Sequence, residues 1–169
     1  MEKINSQICT TREQSERLLA LGLKKETADM TWNFSYMMKG EPQYDLLAES
    51  TWDEDTIQRY VEHGVKMTLF DHWKHSDGTQ MTPLEIYAEI TKKDIPAWSL
   101  HRLLELSPEL VKQETTYFTK DGNVELVNGD GIVTKAWGGK SLYDALIDFF
   151  QWLIKEGYFN KEYLNENIH

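Results

Sequence analysis

Three β-forming runs joined by two tight turns, between residues 115 and 137, constrain the fold of this 169-residue chain more than any other stretch. Thr115-Thr116-Tyr117-Phe118-Thr119 is dense in β-branched and aromatic residues, which suit a pleated, half-buried surface. Asp121-Gly122 then supplies a hairpin turn pair. In Val124-Glu125-Leu126-Val127 the alternation puts Val124 and Leu126 on one face. Asn128-Gly129-Asp130-Gly131 makes a second turn, and the run from Ile132 to Trp137 is a third strand. Turns this short join antiparallel neighbours, so the run predicts a meander. One face of such a sheet needs a cover.

Helical patterns on both sides supply candidates. Ser141, with Asp144 three residues on, caps a helix over about 141–156, and Gly157 stops it. Leu142, Ala145, Leu146, Phe149, Phe150, Leu153 and Ile154 fall at three- and four-residue steps along it. At roughly 1.5–3 kcal/mol for each large side chain buried, this helix is a principal source of core. Upstream, Thr10 with Glu13 starts a helix over 10–22 that ends at Gly22. Thr82-Pro83-Leu84-Glu85 starts another, over 82–91.

The run Ile95-Pro96-Ala97-Trp98-Ser99-Leu100 leads into Leu103, Leu104 and Leu106, and Pro108 stops it. This predicts a helix over 96–107 with Pro96 in its first turn. Trp98 is expected in the core. Trp32, Phe34, Tyr36 and Met38 alternate like a strand, and so do Val65, Met67 and Leu69. A helix over 53–63 lies at the edge. The expected fold is α+β, a three-stranded antiparallel meander packed against several helices. It is expected as a single domain over 1–169, with a helical N-terminal part at about 10–110, the meander at about 115–137 and the C-terminal helix at about 141–156.

The charge balance narrows the function classes. With 28 acidic and 18 basic residues the formal net charge is −10. The main basic pairs are Lys24-Lys25 and Lys92-Lys93, so the footprint of a nucleic-acid binder is missing. One cysteine, Cys9, cannot form an internal disulfide and suits a reducing compartment. The N-terminus reads as no signal peptide, and no stretch approaches the apolar length of a membrane helix. The expectation is a cytoplasmic protein without membrane contact.

The 10–32 segment, the Ile95–Leu106 run and the 144–153 helix together resemble a group of short proteins from gut Bacteroidales and their phages. The resemblance spans about half the chain and implies a bacterial or phage source and a cytoplasmic location. The group carries no assigned activity, so no catalytic residue follows from it.

Two clusters are candidates for function. Residues 41–55 carry Glu41, Asp45, Glu49, Asp53, Glu54 and Asp55 with no Lys or Arg. The plain reading is a solvated loop and the acidic first turn of the next helix. The sharper one is a face for a protein partner, formed by Glu41, Asp45 and Glu49 with Trp52 and Trp73, the two tryptophans that sit in polar stretches. Asp71, His72, His75 and Asp77 mix imidazole and carboxylate, a donor set suited to zinc, iron or manganese. Their spacing matches no metal motif, and the plain reading is an exposed loop. Residues 76–80 read as a flexible linker. His101 has no nucleophile placed for it, and the glycines from 129 to 139 make no phosphate-binding fingerprint or other cofactor motif. The leading expectation is an interaction or regulatory protein, associated with a phage or mobile element, acting through an acidic and aromatic surface. The alternative is a small metal-dependent hydrolase built on Asp71, His72, His75 and Asp77.

Overall fold

The computed structural model describes residues 7–38, 41–48, 55, 58, 59, 62, 63 and 73–166. The fold is α+β. Its helices are α1 (Arg12–Ala20), α2 (Pro83–Thr91), α3 (Leu100–Leu106) and α4 (Leu142–Glu156). Its strands are β1 (Met30–Met38), β2 (Glu41–Ala48), β3 (Ile95–Ala97), β4 (Leu110–Val111), β5 (Glu114–Phe118), β6 (Val124–Val127) and β7 (Val133–Trp137). The chain divides into two compact units, residues 1–30 with 95–169, and residues 31–94. The part at 10–110 expected as helical is therefore mixed, since β1, β2 and β3 interrupt it.

In the larger unit the expected meander is present as β5-β6-β7, and β4 extends it to four antiparallel strands in the order β4-β5-β6-β7. The β4–β5 turn is Lys112-Gln113, with φ of 51° and 71°. A two-residue turn of this hand needs positive φ at both central positions, which Asn and Gly favour and Lys and Gln do not. Helix α4 lies on β6 and β7. Its Ala145, Leu146, Ile147, Phe149, Phe150 and Leu153 are fully buried. The Trp137 ring meets Phe149 at 4.8 Å and Trp152 at 5.1 Å. Ser141 caps α4 by accepting from the Asp144 amide, and Gly157 at φ 76° ends it. Gly139 serves a close approach, because a Cβ there would stand 2.9 Å from Asp144 Cβ.

Helix α1 joins α4 through Gln14, which donates to Asp144 Oδ1 at 2.8 Å, and Arg17, which pairs with Asp148 at 2.7 Å. Its cap is Thr11 rather than Thr10. Thr11 and Gln14 make the reciprocal capping box, while Thr10 is drawn into the core. The Thr10 amide donates to the Trp98 carbonyl at 2.9 Å, and Thr10 Oγ1 accepts from the Trp98 amide at 3.0 Å. That pairing also corrects the helix expected over 96–107. With both Trp98 backbone groups taken by Thr10, residues Ile95–Ala97 are extended, Pro96 lies in a strand, and the helix starts after Ser99. Ser99 Oγ accepts from the Arg102 amide and donates to Asp29. Trp98 is core as expected, with no exposed surface, and its indole N–H donates to Thr27 Oγ1 at 3.0 Å.

In the smaller unit β1 and β2 are neighbouring strands. Strand β2 corrects the loop expected at 41–48. Tyr44 and Leu46 are half-buried while Asp45 and Leu47 are exposed, a period-two pattern that the carboxylate run masks. Thr82 and Glu85 make the capping box of α2 as the sequence predicts. Asp55, Gln58, Arg59, Glu62 and His63 are helical, in keeping with the helix at 53–63. The strand expected at 65–69 lies outside the described residues. Among the described residues no helix is long and apolar enough to cross a membrane.

Candidate interaction surface

The register of the four-stranded sheet sorts its side chains into two faces. Thr116 pairs with Leu126, which pairs with Lys135, and Phe118 pairs with Val124, which pairs with Trp137. These residues share the face that α4 covers. The opposite face follows from the alternation. It holds Leu110 opposite Thr115, the row Tyr117–Glu125–Ala136, and Val127 opposite Val133. The register slips between Leu126 and Val127, so that Thr134 is an extra residue in β7. Without that bulge Val133 would fall on the covered face.

Part of this outward face stands in solvent, while Thr115, Glu125 and Val127 are half-buried. Leu110 is 63% exposed, Tyr117 52% and Val133 47%, and Ile132 in the adjoining turn is 60% exposed. Of the other exposed apolar residues, Phe118 is on β5 with the parity of the α4 side, at 39%, and Ile8, Leu47 and Leu84 sit on separate elements. Antiparallel sheets with one solvated face normally carry polar residues there. A group of large apolar side chains on a rigid sheet is the usual mark of a contact surface.

The charges of the sheet are unevenly placed. The charged strand residues are Glu114, Glu125 and Lys135. Lys135 turns toward α4 and sets its ammonium 4.3 Å from the centre of the Trp152 ring. Lys112, in the β4–β5 turn, sets its ammonium 4.8 Å from the Tyr158 ring. Glu114 pairs with Val111 and has the parity of the covered face. Glu125 is the charged strand residue on the outward face, and it forms no ion pair among the described residues.

The residues singled out from sequence lie in the smaller unit and are only partly described. Glu41 and Asp45 are on β2, with Asp45 exposed. Glu49, Trp52, Asp71 and His72 lie outside the described residues. Trp73 is half-buried, and its carbonyl accepts from Gln80 Nε2 at 2.9 Å and the Met81 amide at 3.2 Å. His75 Nε2 stands 3.4 Å from Glu85 Oε2. Asp77 Oδ1 accepts from the Thr79 amide at 2.9 Å and the Thr79 hydroxyl at 2.6 Å, bonds that lower its pKa. Glu85 is lowered too, first by the bond from the Thr82 amide. With the Lys74–Gln80 bridge and Gly78 at φ 84°, this segment is a hydrogen-bonded hairpin rather than the flexible linker expected at 76–80. His75 and Asp77 thus face separate partners, and the described residues hold no group of three metal-ligating side chains. His101 is exposed and pairs with Glu105 one helical turn on, at 3.0 Å.

The other group of chemical interest is buried in the larger unit. Burial, with the Asp29 carboxylate, pushes the Cys9 thiol up to about 11, and burial raises the Tyr143 phenol to about 12. Such a thiol is inert toward nucleophilic chemistry at neutral pH.

Sequence reasoning missed Leu110, Tyr117, Ile132 and Val133 as a surface. A signal was present, since assigning Val124 and Leu126 to the core face sends Glu125 and Val127 outward. Comparison with protein-family models, with curated proteins and with solved structures finds no match to the chain.

Proposed function

We propose that this chain is a small cytoplasmic interaction or regulatory module, associated with a bacterium's phage or mobile element, that holds a protein partner on an aromatic, acid-bearing surface. The observation that supports it best is the exposed set Leu110, Tyr117 and Val133 on the face of the sheet that lies away from α4, with the exposed Ile132 in the adjoining turn. Tyrosine on a rigid strand gives a large contact area at low entropic cost. The net charge of −10 favours a partner with basic groups and speeds encounter with it. The exposed Asp45 on β2 keeps the acidic run as a second contact to be compared.

Hydrolysis at a metal held by Asp71, His72, His75 and Asp77 has less support, because His75 and Asp77 are already engaged with Glu85 and Thr79. The interaction reading is tested by site-specific photo-crosslinking in a Bacteroidales lysate. A photoreactive phenylalanine analogue goes at position 117 in one protein and at position 45 in another. A discrete adduct from position 117 supports the sheet face. An adduct from position 45 alone moves the contact to the acidic run. The absence of any discrete adduct from either counts against an interaction module.

A further inference from the structure

We infer that the outward face of β4–β7 receives an arginine side chain of the partner, with the guanidinium held between the Tyr117 ring and the Glu125 carboxylate. This rests on the interaction reading and names the chemistry of what binds. Tyr117 and Glu125 are directly opposed on β5 and β6. Side chains so paired on one face of an antiparallel sheet stand close together, with Cβ atoms about 4.5–5.5 Å apart. The ring is half exposed. Glu125 forms no ion pair among the described residues, and its cross-strand neighbour on the other side is Ala136, too small to cover it.

Two lysines of this sheet and its turns are engaged elsewhere, Lys135 over Trp152 and Lys112 over Tyr158. Beside Tyr117 the Glu125 carboxylate thus has no ion-pair cation among the described residues. Covering it with an apolar partner would bury an unpaired charge, which is costly. A partner that brings a cation removes that cost. Guanidinium fits better than ammonium, because it stacks on an aromatic face while its N–H groups fork onto a carboxylate. The occupant is therefore an apolar protein segment with an arginine at its centre. A second copy of this chain would meet a charge of −10 with another −10 and is disfavoured.

The test is an NMR titration of the full chain with blocked heptapeptides in which valine and threonine alternate about a central residue. That residue is arginine, lysine or the neutral isostere citrulline. The expected result is shift changes centred on Tyr117, Glu125 and Val133 with the arginine peptide. Binding weakens about five- to tenfold with citrulline, which loses both the ring contact and the ion pair, and about two- to fivefold in the Glu125→Gln protein, which loses the ion pair alone. Glu125 is on the solvated face, so this variant keeps the fold, as an unchanged spectrum of the core confirms. Equal affinity for arginine and citrulline peptides overturns the arginine assignment and leaves the apolar contact face intact. No shift changes on this face with any peptide overturns it as well, while the crosslinking from position 117 decides the interaction reading separately.

Discussion

Cys9 and Tyr143 show how buried acidic groups set a pH limit on stability. The Cys9 thiol titrates near 9 when exposed and at about 11 in the fold. Between these values the unfolded chain has lost the proton and the folded chain keeps it. The folded state then binds more protons, so stability falls as pH rises through that window. Tyr143 acts in the same direction about one unit higher. Denaturant midpoints measured from pH 8 to pH 11 are expected to fall, and Cys9→Ala to flatten the decline between pH 9 and 11. Equal slopes in the two proteins would show that the thiol is not held neutral. Thr116 makes a second case. Its hydroxyl is buried on the α4 side of the sheet with no hydrogen-bond partner among the described residues. Thr116→Val removes that unpaired group with little change of shape, and a gain of about 1 kcal/mol is expected in equilibrium unfolding. A loss of stability would mean that the hydroxyl has a partner.

Among the elements, the β4–β5 hairpin carries a local cost. Gln113 sits at φ 71°, a region that costs a non-glycine residue roughly 1–2 kcal/mol. Gln113→Gly is expected to raise the melting temperature, net of the added freedom of the unfolded chain; a lower one would contradict the strain. The same turn explains why β4 was not legible in the sequence, since Lys112-Gln113 has no Asn or Gly to announce it. Strands β5 to β7 were legible because Asp121-Gly122 and the Asn128–Gly131 run state their turns locally. Helix α4 was legible for the same reason, having its cap, its stripe and its glycine stop within one stretch. The start of α3 was misread because it depends on Thr10, 88 residues away, occupying the Trp98 backbone. No local pattern carries such a contact. Ser141→Ala tests the cap of α4, with an expected loss of about 1 kcal/mol.

For the molecule as a whole, the legible part of the candidate site was its chemistry and the illegible part was its place. Acidic and aromatic residues were visible in composition. Which of them stand together in solvent depends on α4 covering one face of the sheet and on the bulge at Thr134 turning Val133 to the other. The acidic run at 41–55 drew attention by charge alone, whereas the exposed apolar group on β4, β5 and β7 appears only once the register is known. The central claim is that this face is a contact surface rather than bare sheet. Its most direct test is the affinity of the partner crosslinked at position 117 for the unaltered protein and for the Tyr117→Ser, Val133→Thr double variant, with melting temperatures compared to confirm folding. A loss of tenfold or more at unchanged fold is predicted, as for a central aromatic anchor. Undiminished affinity in a folded variant would contradict the account.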